Sequence, residues 1–95
     1  MRIEFKVFKD NKKDIYNYNL PSNINIDSNF DFAYTNAVKR LILSLELNMQ
    51  TSNISDSEID KMMKEAGFNL DLESLLHHIF SNQNYVIESI NLYLR

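Results

Sequence analysis

The periodicities along this 95-residue chain predict an α+β domain in the order ββαααβ, with a small antiparallel sheet packed against three helices. Three observations carry that expectation. Apolar and polar side chains alternate near both ends of the chain, a helical period fills the middle, and cap residues punctuate the helical stretches. The length suits one domain spanning 1–95, with no room for a second independent core.

Arg2 to Phe8 places Ile3, Phe5 and Val7 on one side and Arg2, Glu4 and Lys6 on the other, the pattern of a half-buried strand. Asp10–Lys13 reads as a polar turn, and Ile15–Leu20 alternates again with Tyr16, Tyr18 and Leu20 opposite Asn17 and Asn19. These two strands make a hairpin, closed by Pro21, which has no N–H to give to a ladder. Asn23–Ser28 is a loop with Ser28 as N-cap of the first helix.

From Phe30 the period becomes helical. Phe30, Tyr34, Ala37, Val38, Leu41, Ile42 and Leu45 share a face, and nothing breaks the pattern before Asn48. Ser55 and Glu58 form a capping box, and Ile54 packs on Ile59 as a staple. Ile59, Met62, Met63 and Ala66 give that second helix its buried face. Gly67 followed by Phe68 gives it a Schellman ending. Asp71 caps a third helix carrying Leu72, Leu75, Leu76, Ile79 and Phe80, which Ser81–Asn84 breaks. Tyr85–Arg95 returns to strand, with Ile90, Leu92 and Leu94 opposite Asn91 and Tyr93, and is expected beside the first strand.

Composition excludes more than it assigns. With no cysteine there is no disulfide framework, zinc ribbon or thiol nucleophile. The single glycine, Gly67, is spent on a helix end, so no glycine-rich loop remains to cradle a phosphate. No Gly-x-Ser-x-Gly elbow occurs. Adjacent His77 and His78 diverge by about 100° on a helix, unlike the i, i+4 pairs that bind metal, and only Glu73 stands one turn from His77. They read as helix-surface histidines. The expectation is a protein that is not an enzyme and uses no cofactor or metal.

Met1–Asp10 has neither the apolar block of a signal peptide nor that of an anchor. The apolar-rich run Leu41–Leu47 is far short of the roughly 20 residues a bilayer needs. A soluble, cytoplasmic protein with no membrane partner is expected.

Charge is divided unevenly. Residues 1–13 carry five basic and two acidic side chains, while residues 14–95 carry five basic and eleven acidic ones, for a net charge of −3. Lys6, Lys9, Lys12 and Lys13 near Phe8, Tyr16 and Tyr18 offer a single-stranded nucleic-acid reading, with sheet aromatics stacking bases. The acidic body opposes it, so nucleic acid ranks second. Duplex reading is not expected, because the third helix presents Glu73, Ser74, His77 and His78 where base-reading Arg, Lys, Asn or Gln is needed. A calcium loop is excluded because Gly67–Asp71 is far shorter than twelve ligand-bearing residues.

The leading expectation is docking. At 100° per residue, Phe32, Leu43 and Leu47 form a second apolar stripe behind the core face of the first helix. Either the other helices cover it, or it awaits a partner protein or a second copy of the chain. Asp56, Asp60 and Glu65 form an acidic surface beside it. The chain also holds thirteen asparagines with many Ile, Lys, Tyr and Phe, residues that share A/T-rich codons. That composition suits a phage or mobile-element protein. Together these features suggest a regulator or inhibitor that binds a larger host protein or complex, in the manner of an anti-CRISPR.

Overall fold

Asp10 and Asn11 turn the chain at its first hairpin with φ of 55° and 62°, the left-handed pair of a two-residue type I′ connection. Asn and Asp tolerate that region better than other non-glycine residues, so the expected four-residue turn tightens to two and both strands lengthen. In this computed structural model, which describes residues 1–20 and 30–94, the elements are β1 (Arg2–Lys9), β2 (Lys12–Asn19), α1 (Phe30–Leu47), α2 (Asp56–Glu65), α3 (Leu72–Phe80) and β3 (Tyr85–Tyr93). This is the expected ββαααβ order. Pro21, the Asn23–Ser28 loop with its Ser28 cap, and Arg95 lie outside the described residues.

The sheet order is β2-β1-β3, antiparallel throughout, so the last strand does lie beside the first. β1 and β2 pair in unbroken register from Arg2↔Asn19 to Lys9↔Lys12. β3 pairs with β1 in two segments, because the register shifts between Lys6↔Ser89 and Val7↔Ile87 and leaves Glu88 as an extra residue. That bulge resets the face parity of the strand. Tyr85 and Ile87 lie opposite Lys9 and Val7 before it, while Ile90 and Leu92 lie opposite Phe5 and Ile3 after it. All four therefore share the face that packs on the helices. The alternation read for residues 90–93 holds only beyond Glu88.

Helices cover one face of the sheet. α1 contacts both α2 and α3, and α3 reaches β3. The core joins Ile3, Phe5 and Val7 of β1 to Ala37, Val38, Leu41, Ile42, Leu43 and Leu45 of α1, Ile59 and Met63 of α2, and Leu75 and Ile79 of α3. Leu43 is fully buried, so it belongs to this core and to no exterior stripe. Phe80, expected in the core, is exposed at the end of α3.

The punctuation matches its chemistry. Ser55 Oγ accepts from the Glu58 N–H at 3.3 Å, and Asp71 Oδ2 accepts from the Ser74 N–H at 3.0 Å. Gly67, at φ 90°, donates to the Lys64 carbonyl, and the Phe68 N–H reaches back to the Met63 carbonyl, both at 3.0 Å. These are the two bonds of a Schellman motif.

Candidate functional site

Among the described residues, two surfaces of the sheet are left uncovered by helices: its open face and the outer edge of β2. Cross-strand pairing places four rows on the open face, namely Asn19–Arg2–Tyr93, Asn17–Glu4–Asn91, Ile15–Lys6–Ser89 and Lys13–Phe8–Val86.

The first two rows bond to themselves. The Arg2 guanidinium lies 4.3 Å over the Tyr93 ring, donates to Asn17 Oδ1 at 2.5 Å and sits 3.7 Å from Glu4. Asn91 Nδ2 donates to Glu4 Oε1 at 3.3 Å, and the Tyr93 hydroxyl lies 3.5 Å from the same oxygen. Glu4 is thereby buried on a face that no helix among the described residues covers.

The last two rows differ. Phe8, Ile15 and Val86 are 43, 52 and 63% exposed on three adjacent strands. Phe8 and Val86 are direct cross-strand partners, and Ile15 is diagonal to Phe8. The Glu88 bulge supplies an ion pair across β1, with Lys13 Nζ 3.0 Å from Glu88 Oε1. An apolar end of the face is thus bounded by Lys6 and by a paired Lys13 and Glu88.

Along β2 runs a cleft of about 470 Å³. Its lining comes from Ile15–Tyr18 on one side, Arg40 and Ser44 of α1, and the connection from Asn48 to Ser52 on the other. Arg40 holds that connection in place. Its guanidinium donates to the carbonyls of Thr51 and Ile54 and pairs with Asp56 at 2.7 Å. Asn48, at φ 54°, makes the turn out of α1. The Tyr18 hydroxyl is buried with no hydrogen-bond partner among the described residues. Burial pushes its pKa up to about 12.

Several expected site residues have internal work instead. Asp60 holds Lys39, whose Nζ is 2.7 Å away, and Asp56 holds Arg40. The acidic surface is therefore partly spent on joining α1 to α2, because each carboxylate faces a cation on the neighbouring helix. Glu65 stays exposed. Phe32 and Leu47 are exposed, but fifteen residues of helix separate them by about 22 Å, so with Leu43 buried they make no continuous stripe.

The four lysines divide between the faces. Lys9 Nζ turns to the helices and donates to the Leu45 carbonyl at 2.5 Å, while Lys6 and Lys13 belong to the open face. Lys12 lies 4.0 Å from Asp14. Tyr16 and Tyr18 face the core, so of the three aromatics only Phe8 shares the open face with Lys6 and Lys13.

His78 is less idle than its sequence context implies. Its Nε2 donates to Glu46 Oε2 at 2.6 Å, and the buried Tyr85 hydroxyl donates to the same oxygen at 2.7 Å. Phe68 meets the imidazole edge-on at 4.8 Å. Burial, then the hydrogen bond to anionic Glu46, drive the Tyr85 pKa upward. The cluster joins α1, α3 and β3, and its members lie too far apart in sequence for spacing to signal it. Among the described residues, no group of three or more His, Cys, Asp or Glu side chains is arranged to hold a metal ion, and no helix is long and apolar enough to cross a membrane.

Comparison of the chain with protein-family models, curated proteins and solved structures returns no match.

Proposed function

We propose that this protein is a non-enzymatic regulator or inhibitor that acts by binding a larger protein through the open face of its sheet. The observation that carries the reading is the Phe8, Ile15 and Val86 group: three large apolar side chains, roughly half exposed, adjacent on a face without helices. Single exposed apolar residues are ordinary, but a contiguous group rimmed by charge is the makeup of an interface core. Completing the burial of each is worth about 1 kcal/mol, so the trio contributes about 3 kcal/mol toward binding. The surroundings, Lys6 with the Lys13–Glu88 pair, make a polar rim. The phage or mobile-element setting suggested by composition makes a host defence complex the partner to test first.

A photo-crosslinking residue at position 86 tests the docking face directly, with position 73 on the exposed side of α3 as control. Position 86 should trap one protein partner in the producing cell, and position 73 should not. Phe8→Asp combined with Val86→Asp should abolish both the capture and the biological effect while far-UV circular dichroism stays unchanged. Equal capture at both positions, or an intact effect in the double variant, refutes the reading.

A further inference from the structure

The two edges of the sheet are unequal, and the inequality identifies a second binding surface. β3 carries the defences of a natural edge: a bulge, and a charged residue at the bulge, Glu88. β2 carries neither over Ile15–Asn19. Its register with β1 is unbroken, and Ile-Tyr-Asn-Tyr-Asn holds no charge and no proline. Among the described residues, no hydrogen bond reaches the outer backbone groups of β2. Beside this edge lies the cleft walled by Asn48–Ser52, with the unpartnered Tyr18 hydroxyl and Ser44 among its lining.

We propose that the β2 edge and its cleft bind an extended segment of a partner protein by strand addition, with one uncharged polar side chain of that segment entering the cleft. Strand addition supplies main-chain hydrogen bonds for affinity and side-chain pockets for specificity, and this edge offers both.

The lining defines the chemistry of the segment. Arg40 is the cleft's cation, and it is committed to two carbonyls and Asp56. The other polar groups, Tyr16 and Gln50 among them, are hydroxyls and amides, so the entering side chain is neutral, of the Asn, Gln, Ser or Thr kind. At the hairpin end of the same edge, the Lys12 side chain stays 77% exposed. An acidic residue at that end of the segment completes the match. The surface shares only Ile15 and Asn17 with the open face, and it functions whether or not Phe8 and Val86 are used.

The test begins with a phage-displayed library of random linear seven-residue peptides, panned against the immobilised full chain. One enriched peptide is then synthesised and titrated into ¹⁵N-labelled protein. The expected consensus is a neutral polar residue near the centre with Asp or Glu toward one end. Amide shifts should concentrate at Ile15–Asn19 and Asn48–Ser52, and outward amides of β2 should gain at least about tenfold protection from hydrogen exchange. Ser44→Ala should leave the free protein's spectrum otherwise intact and weaken the peptide about fivefold. Lys12→Glu should weaken it at low salt, by a factor that shrinks as salt is added.

Three results overturn the proposal. One is a library without enrichment. Another is a peptide that shifts Phe8 and Val86 while leaving β2's outer amides unprotected. The third is a peptide-free protein that is already dimeric with Ile15–Asn19 protected, which would make a second copy the occupant. Failure of the position-86 crosslink bears only on the open face.

Discussion

Removing Asp60 from α2 is expected to unfold the protein more readily, an effect a pure docking residue would not have. Lys39 lies with its side chain 7% exposed and Nζ 2.7 Å from Asp60 Oδ1, whose own side chain is 40% exposed. Deleting the partner of a fully buried ion costs about 3–5 kcal/mol, because the remaining charge stays desolvated. Here the carboxylate is partly wet, so water can follow into the gap it leaves, and the cost of Asp60→Ala falls to about 2 kcal/mol. Lys39→Met is the informative contrast. It fills the same channel with an apolar chain and leaves Asp60 to hydrate, so its stability should stay within about 1 kcal/mol of the parent. Urea unfolding followed by circular dichroism measures both. With an m value of about 1–2 kcal/mol/M, Asp60→Ala moves the midpoint down by about 1–2 M. Adding Lys39→Met to Asp60→Ala should restore most of the loss. If Asp60→Ala unfolds at the parent's midpoint, or Lys39→Met costs as much as Asp60→Ala, the buried-pair argument is wrong.

Core and surface residues of α1 should separate cleanly. Leu43→Ala is expected to cost about 2–5 kcal/mol and Leu47→Ala less than about 0.5 kcal/mol, read from the same urea melts. Gly67→Ala meets nothing within 4 Å, so its loss of about 1–2 kcal/mol comes from the backbone at φ 90° alone and should appear as a lower melting temperature. Alkali should destabilise the fold. The pKa values of Tyr16, Tyr18, Tyr34 and Tyr85 are all raised by burial, so the folded chain keeps protons that the unfolded chain releases near pH 10. The contribution of Tyr18 is intact below pH 10 and is lost as pH rises through about 12, amounting to about 2 kcal/mol, and Tyr18→Phe should flatten that part of the pH–melting curve. In acid the sign reverses. The Ser74 N–H bond lowers the Asp71 pKa, so its stabilisation is lost as pH falls below about 4, and Asp71→Asn should reduce the melting-temperature drop between pH 4 and 2.

The elements were legible in the sequence where their cause is local. Ser55, Gly67 and Asp71 act on backbone groups within a few residues, so their spacing alone locates the helix ends. α1 begins and ends where its periodicity does. The bulge has a faint signature: inward positions are odd at Tyr85 and Ile87 and even at Ile90 and Leu92, so the parity must change at the polar Glu88–Ser89 step. Reading only residues 90–94 hides it. The fate of Leu43 needed the packing of α2 and α3, because a helical wheel shows a second stripe without showing what lies on it. The pairs Lys39–Asp60 and Glu46–Tyr85 join residues 21 and 39 positions apart, beyond any spacing rule.

The candidate surface was missed for a related reason. Phe8, Ile15 and Val86 look like ordinary members of alternating strands, and only the β2-β1-β3 order brings them together. If the open face were merely a solvent face, its apolar end should resemble its other end, where Arg2, Glu4, Asn17, Asn91 and Tyr93 satisfy one another. It does not: Phe8 and Val86 are cross-strand partners that stay largely wet, on a sheet whose other face already supplies the core. Fold stability gains little from two such exposed side chains, and solubility loses by them. On the docking reading proposed above, their value would lie in a complex, where the burial left incomplete by this chain is completed by another.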